Sequence, residues 1–576
     1  MSWPYQFLDL TSAEKQERRL ALDRYAALAQ LSALLPVVVF LLLRVGSWVV
    51  GRLSSRGVAY DAVPNSPAAK HEEARMSASL SARARRLVWW LTDDFVLFRQ
   101  NWGRRDQLLF GAAWTLWLLF LCVHGTGNDY FHLTKRFGAI AAAQFPVQYL
   151  LALKYLNPVA FAFRSSHEEV NRWHRALGRI IYILLCLHGM FYLNYYVQSG
   201  VLTQRLLSSL VVILGVSSLF GMTLLNTTAL SMVRQYSYRV FFITHLLVAL
   251  ALPPAIFFHV RHARVYMIES LVFFILDLAL RKMHTAMAEA TLELIPGTNL
   301  IKIVSKVPQR FAARFDFPGS HVYLSIPAAS RPISNRASPS HMLYEFLFNP
   351  FTVASINEET HELTLVARQL KGPMTQTLGS LANSWASGTK IPLTIEGPYG
   401  ISRYFPSFAR TQTDRVLLVA GGVGATFIVP IYQQIIGENP AAHVDMIWAV
   451  REAGEATWTS SGLEKTVLDD ERIQLFLTGN VFDSDAGTGS SSAVNGEIEL
   501  ENIRSDRRRS KRSPGNDHKR PDLQQVVNRV FRQGHADRVA VLVCGPDSMA
   551  RELRQYVGVW VKKGRNVYFH NENFSW

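Results

Sequence analysis

Four histidines carry the first chemical signal in this chain. His174 and His188 lie fourteen residues apart within the apolar stretch Arg172 to Tyr196, and His245 and His259 repeat that spacing within Tyr238 to Val260. On an α-helix this separation is about 21 Å along the axis and returns to within about 40° of the same face. Ionisable side chains inside apolar spans are costly and tend to be functional. A lone histidine in a span is commonly a packing or hydrogen-bonding residue. Two identically spaced pairs on two helices point instead to two clamps, each able to hold a haem iron between one imidazole from each helix. Two axial histidines leave the iron no open position, which suits electron transfer rather than oxygen binding.

The helices that present these pairs must cross a bilayer, and seven stretches have roughly the length this requires. They run near 26–50, 106–124, 137–156, 173–196, 203–226, 237–260 and 263–281. Basic residues group before 106 (Arg104, Arg105), before 173 (Arg164, Arg172, Arg175), between 226 and 237 (Arg234) and after Arg281 and Lys282. The positive-inside rule makes that side cytosolic. Both histidine-bearing spans then run outward in parallel, so His174 pairs with His245 at an inner haem and His188 with His259 at an outer one. Lys135, Arg136, Arg261 and Arg264 fall in the outer loops. They read either as headgroup anchors or as a site for haem propionates or an anionic metal chelate.

Composition narrows the alternatives. A net charge of +16 over 576 residues could suit nucleic acid, but here the charge flanks apolar spans and topology explains it without one. Cys122, Cys186 and Cys544 are too scattered for a disulfide framework or zinc site. The first 26 residues are polar and amphipathic, with no small-residue cleavage pattern of a signal peptide. Residues 51–103 read as a polar, Arg-rich cytosolic loop.

Past residue 282 the pattern becomes short and alternating: TLELI, LIKIV, HVYLSI, ELTLVAR and IPLTIEG suggest an antiparallel sheet or small barrel. A Pro-, Ser- and Arg-rich loop at 327–344 interrupts it. From Arg415 strands and helices alternate (RVLLVA, ATFIVPIYQQII, VDMIWAV, RIQLFLTG, RVAVLVC, NVYFH), which argues a doubly wound parallel sheet. A low-hydrophobicity stretch at 482–520 reads as a disordered insertion. The domains are expected at 1–103, 104–282, 283–412 and 413–576.

Gly421, Gly422 and Gly424, with Thr426, follow the strand RVLLVA and open a helix, a place where backbone can approach a pyrophosphate. Arg451, at the end of the next strand, would suit a ribose 2′-phosphate and hence NADPH. Cys544, Gly545 and Pro546 end another strand of that sheet, where a nicotinamide would lie, with Cys544 beside its reactive carbon. Asn349 to Ser355 reads as a turn with an aromatic and hydroxyls, Lys371 to Thr377 as a loop with donors for a phosphate, and Glu396 to Gly400 as a closing turn.

Taken together, the paired His-x13-His spans, Pro-Phe-Thr-Val-Ala, Gly-Pro-Tyr-Gly, Gly-Gly-x-Gly-x-Thr, Cys-Gly-Pro and the aromatic last residue resemble the ferric reductase and NADPH oxidase superfamily, and most nearly fungal ferric-chelate reductases. The resemblance covers about 104–576. It implies a multi-pass α-helical membrane domain, a six-helix haem bundle plus one extra N-terminal span. A ferredoxin-reductase-like β-barrel for FAD and an α/β Rossmann-like domain for NADPH follow it. It implies that Pro350, Phe351, Thr352 and Val353 meet the isoalloxazine and that Lys371, Gly372 and Thr375 belong to the flavin phosphate loop. It also implies that Trp576 shields the flavin until nicotinamide displaces it. Asn349 stands where the family commonly has His; Asn can donate a hydrogen bond but does not titrate near neutrality.

The implied function is transfer of electrons from cytosolic NADPH through FAD and two b-type haems to a ferric or cupric chelate across the bilayer, with the plasma membrane the expected location. A superoxide-producing oxidase using dioxygen is the alternative. A channel or scaffold without redox chemistry is a third class, against which the intact histidine quartet and nucleotide turns argue. Protein partners are not legible.

Overall fold

The computed structural model describes residues 4–54, 81–98, 100–330, 348–370, 372–384, 388–409, 413–459, 467–479, 520–534 and 538–573. It divides into two compact units, Met1–Pro67 with Trp90–Met283 and Ala68–Trp89 with His284–Trp576.

The first unit is helical. Its first helix, α1 (Ser12–Ser54), starts well before the expected span at 26. Thr11 and Glu14 explain this: the Thr11 N–H donates to Glu14 Oε2 at 2.7 Å and the Glu14 N–H to Thr11 Oγ1 at 3.3 Å, a reciprocal capping box. The polar 51–103 segment is not all loop, since residues 81–91 form helix α2 and β1 (Asp94–Leu97) pairs with β2 (Gln100–Arg104). Then come α3 (Arg105–Val123), α4 (Tyr130–Ala143), α5 (Phe145–Ala152) and α6 (Pro158–Phe163). Next are α7 (His167–Gln198), α8 (Leu202–Ser208), α9 (Leu210–Thr228) and α10 (Ser231–Tyr236). The unit closes with α11 (Tyr238–His259) and α12 (Arg264–Met283).

Five of these, Ser12–Val50 within α1 together with α3, α7, α9 and α11, are long and apolar enough to cross a membrane. The expected span at 137–156 is two short helices. Pro146 sits in the first turn of α5, where it has no N–H to continue the ladder of α4 and its ring would collide with the preceding turn. The expected span at 203–226 likewise breaks at Ser209, between α8 and α9. Ser166 caps α7 through the Glu169 N–H at 3.2 Å, and Ser237 caps α11 through the Val240 N–H at 3.4 Å, so both histidine helices start at defined positions.

The second unit begins with β3 (Thr285–Leu294) and β4 (Leu300–Lys306), followed by the single turn α13 (Gln309–Ala312) and β5 (His321–Ser325). β6 (Asn349–Asn357), β7 (Glu362–Arg368), α14 (Pro373–Ser384) and β8 (Lys390–Tyr399) follow. The six strands close an antiparallel barrel in the order β3-β4-β7-β6-β5-β8. Three segments read as turns belong to regular elements instead. Asn349 to Ser355 lies in β6, Pro373 opens α14 as a first-turn proline, and Glu396 to Tyr399 ends β8. Pro350 is tolerated because it is the second residue of its strand. The interior is aliphatic: Ile301, Ile303, Val322, Leu324, Leu365 and Leu393 are all buried.

β9 (Arg415–Gly421), α15 (Ala425–Glu438), β10 (Val444–Val450) and β11 (Ile473–Leu477) build the next domain. α16 (Leu523–Arg532), β12 (Val539–Cys544), α17 (Asp547–Lys562) and β13 (Val567–Glu572) complete it. Its sheet is parallel, in the order β11-β10-β9-β12-β13. The chain reverses direction across the sheet between β9 and β12, and the carboxyl ends of those two strands form the crevice where such sheets bind ligands. Trp89, the last residue of the α2 segment that belongs to this second unit, packs on this domain, with the Arg554 guanidinium 4.3 Å and the Phe569 ring centre 5.5 Å from its ring. The segments read as a loop at 327–344 and an insertion at 482–520 fall almost wholly outside the described residues.

Candidate functional site

In the helical unit α7 and α11 bring the four histidines together in two pairs. The ring centres of His174 and His245 are 6.0 Å apart and those of His188 and His259 are 6.5 Å apart. A metal–imidazole bond of about 2 Å puts the metal about 3 Å from a ring centre, so two rings on one metal stand about 6 Å apart. Both pairs fit a single bridging metal centre such as haem iron. No group of three or more His, Cys, Asp or Glu side chains able to hold a bare metal ion occurs among the described residues, so each pair remains a two-point clamp.

Ring orientation is set by neighbouring helices. His174 Nδ1 donates to Gln148 O on α5 at 2.9 Å, His188 Nδ1 to Thr134 O on α4 at 2.8 Å, and His259 Nδ1 to Val211 O on α9 at 2.7 Å. A carbonyl only accepts, so each bond puts the proton on Nδ1 and leaves the Nε2 lone pair for a metal. The Gln148 amide sits 3.3 Å from His174 Nε2. His245 differs: its Nδ1 is buried without a hydrogen-bond partner among the described residues, and the Phe241 ring lies 5.2 Å away.

Close approach depends on glycines that sequence reasoning missed. A Cβ on Gly138 would stand 2.8 Å from His188 Nδ1 and Cε1, and one on Gly215 would stand 2.7 Å from His259 Cε1. Nothing in the local sequence around either glycine marks it as facing a histidine fifty or forty-four residues away.

Among the expected outer-loop cations, Arg136 requires correction. It lies within α4 and is fully buried, so it cannot anchor on headgroups. It donates to Leu121 O at 3.0 Å and to His132 Nε2 at 2.9 Å, and its guanidinium carbon lies 3.7 Å from the centre of the Tyr25 ring of α1. The part-buried Arg18–Asp129 pair at 2.9 Å and the bond from Gln144 Nε2 to Ala29 O at 3.1 Å tie α1 further to the N-cap and C-cap of α4.

In the second unit the glycine turn and the end of β12 meet. A Cβ on Gly421 would stand 2.7 Å from Pro546 Cδ, one on Gly545 would stand 3.0 Å from Gly421 N, and one on Gly424 would collide with the Cys544 carbonyl. Gly422 takes φ +54°, which favours glycine. The Thr426 hydroxyl is used by the turn itself, donating to Val423 O at 2.9 Å. Cys544 is paired in register with Glu572. Burial first, then the Glu572 charge, push its thiol well above the ordinary value, so it is a neutral packing group rather than a thiolate. Glu572 accepts from His570 Nε2 at 2.8 Å, a hydrogen-bonding neighbour that no local motif announced. Arg451 borders a cavity of about 410 Å³ lined also by Gly297, Thr298, Asn299, Glu452 and Glu455.

On the barrel, Thr352 lies directly opposite His321, which in turn lies opposite Tyr399. Opposed residues share a face, so the three form a row. The Tyr399 hydroxyl donates to the buried Glu396 carboxylate at 2.8 Å. Pro350 and Phe351 are half-buried beside them. Val353 points into the barrel core and its N–H is taken by Ser320 O at 2.9 Å, so its side chain is not offered to a ligand. Thr375 Oγ1 donates to Leu370 O at 3.1 Å and closes the turn that holds Gly372. Lys371 and Trp576 lie outside the described residues.

Three domain families match the chain. A "Ferric reductase like transmembrane component" matches residues 137–274, an "FAD-binding domain" 284–403, and a "Ferric reductase NAD binding domain" 413–558. The chain is similar to the probable metalloreductase AIM14 of Scheffersomyces stipitis, 21% identical over 82% of this chain and 88% of the relative. It is also similar to the ferric/cupric reductase transmembrane component 2 of Schizosaccharomyces pombe, 24% identical over 76% and 80%. Among solved structures, phthalate dioxygenase reductase overlaps 51% of this chain and 68% of its own, with 13% identity and a TM-score of 0.30.

Proposed function

Taking the chain as a ferric reductase-like transmembrane oxidoreductase with FAD- and NAD-binding domains, we propose that it carries electrons from cytosolic NADPH to a ferric or cupric chelate on the other side of the plasma membrane. The observation that carries the reading is the pair of imidazole clamps, 6.0 and 6.5 Å between ring centres, on two helices long and apolar enough to span a bilayer. His174 and His245 would hold an inner haem b, His188 and His259 an outer one. When bound, haem supplies a one-electron centre, and FAD links it to a two-electron hydride donor.

The residues of this chain orient and insulate those groups. The carbonyls of Gln148, Thr134 and Val211 hold three imidazoles by their Nδ1, so that Nε2 is the nitrogen each would turn to a metal. Pro350, Phe351 and Thr352 would receive the flavin ring, with Val353 behind them in the barrel core. Lys371, Gly372 and Thr375 would receive the flavin phosphates. Gly421, Gly422 and Gly424 would receive the nucleotide pyrophosphate at the start of α15, where helix-terminal N–H groups favour an anion. Arg451 would take the 2′-phosphate, Cys544 would pack beside the nicotinamide, and Trp576 would cover the flavin until it arrives. The relatives named as metalloreductases and ferric/cupric reductases support a metal chelate over dioxygen as acceptor.

The test is NADPH oxidation by membranes containing the protein, with ferric citrate, with and without oxygen. Iron(II) formed at the same rate anaerobically supports direct metal reduction. Iron(II) that needs oxygen and vanishes with superoxide dismutase overturns it in favour of an oxidase. Absence of NADPH use in both overturns the reading as a whole and directs attention to Asn349.

A further inference from the structure

We propose that Arg368, a residue of the barrel, binds a phosphate of the nucleotide in the neighbouring α/β domain and is held in waiting by Glu455. The proposal rests on the reading of Gly421 to Thr426 as the nucleotide turn.

Arg368 is the last residue of β7, and its Nη2 donates to Glu455 Oε1 at 2.8 Å. Glu455 follows β10 and is 4% exposed. Its other oxygen accepts the Arg451 N–H at 3.2 Å. One buried carboxylate therefore ties a barrel cation to the strand end that borders the 410 Å³ cavity.

The pair lies against the turn. A Cβ on Gly422 would stand 2.7 Å from Arg368 Nη2 and 3.7 Å from Glu455 Oε2. A pyrophosphate at that turn would meet the guanidinium at hydrogen-bonding range and the carboxylate close behind it. The first contact is attractive and directional; the second is repulsive unless the carboxylate stays neutralised or moves. Arg368 Nε is buried and has no hydrogen-bond partner among the described residues. A guanidinium has five donors, and this one spends few of them on Glu455. An incoming phosphate supplies the missing acceptors. The nucleotide thus exchanges one charge-assisted bond, Arg368 to Glu455, for another, Arg368 to phosphate, and the barrel gains a direct contact with the nucleotide.

The experiment uses the full chain purified with FAD and titrates it calorimetrically with NADP⁺, which binds without reacting. Arg368→Met is expected to weaken NADP⁺ binding about ten- to a hundredfold, the value of a hydrogen bond to a charged group. Glu455→Gln, which removes the competitor, is expected to tighten it severalfold. Arg368→Met strands Glu455 as a buried charge, so Arg368→Met/Glu455→Gln is measured beside it, with FAD content and Tm as controls. Weakened binding in the double variant, with FAD retained, supports the proposal. Wild-type affinity in the double variant overturns it, since Arg368 then only neutralises Glu455. Loss of FAD with unchanged NADP⁺ affinity also overturns it, by assigning Arg368 to the flavin phosphates. Wild-type protein that binds neither NADP⁺ nor NAD⁺ overturns the nucleotide reading beneath it.

Discussion

The two histidine pairs have the same residue types, the same spacing and the same two helices, yet their surroundings differ. In the His188–His259 pair both rings are anchored: each Nδ1 donates to a backbone carbonyl, and each ring lies against a glycine of a facing helix. In the His174–His245 pair only His174 is anchored, by Gln148 O; His245 has an aromatic neighbour in place of a hydrogen bond. An imidazole whose Nδ1–H is engaged is fixed in rotation and is a stronger ligand. The lesson is that the helix carrying a histidine sets where its ring lies, while the helix facing it sets how firmly that ring is held.

The comparison can be broken most severely at its ligands. On the proposed two-haem reading, His188→Ala should halve the haem content of the purified protein and lower chelate reduction about a hundredfold or more, because one clamp would be gone and the relay interrupted. Both haems retained with full activity would remove the assignment.

Next come the glycine contacts. Gly138→Ala or Gly215→Ala forces a methyl group into an imidazole at 2.8 or 2.7 Å. Overpacking of this kind costs about 1–3 kcal/mol. Haem loss during dilution should accelerate about tenfold for the outer pair only, followed as the part of the Soret band assigned by the His188→Ala difference spectrum. Equal loss from both pairs would mean that the glycines support the bundle generally.

Phe241→Ala should act on the inner pair alone. Without the ring, His245 has neither hydrogen bond nor steric stop, so low-temperature EPR of the inner ferric haem should broaden, with a severalfold faster haem loss and an unchanged outer signal. A sharp, unshifted inner signal would show that His245 is held by something else.

The smallest effect is expected at Gly178. A Cβ there meets only the Gln148 Nε2 at 2.9 Å, the end of a flexible side chain. Gly178→Ala should cost less than about 1 kcal/mol and leave both haems in place, because the bond that anchors His174 goes to the Gln148 backbone. A loss as large as that of Gly138→Ala would erase the difference between the pairs.

Legibility in the sequence followed locality. The histidine spans and the glycine turn are written in contiguous residues, so helical periodicity and strand–turn–helix order exposed them. The break between α4 and α5 was also written locally, in Pro146, but a hydropathy reading passes over a single proline. Asn349-Pro350 suggested a turn because both residues favour one; pairing with β5 and β7 overrode that preference and made it a strand. The row Thr352, His321 and Tyr399 joins three strands and has no local signature.

What this sequence determined by itself is which chemistry is available: paired imidazoles at a helical repeat, a glycine turn that opens a helix, and apolar spans to carry the first across a bilayer. These are properties of neighbouring residues, set by backbone geometry and by burial of contiguous apolar surface. Only the tertiary structure decided how each group is tuned. Thr134, Val211 and Gln148 face their histidines, Gly138 and Gly215 admit the rings, and Arg368 reaches Glu455 across 87 residues because packing brings distant segments together. Hydrogen bonds and close contacts act over a few ångströms, and sequence distance says nothing about which residues the fold will place that close.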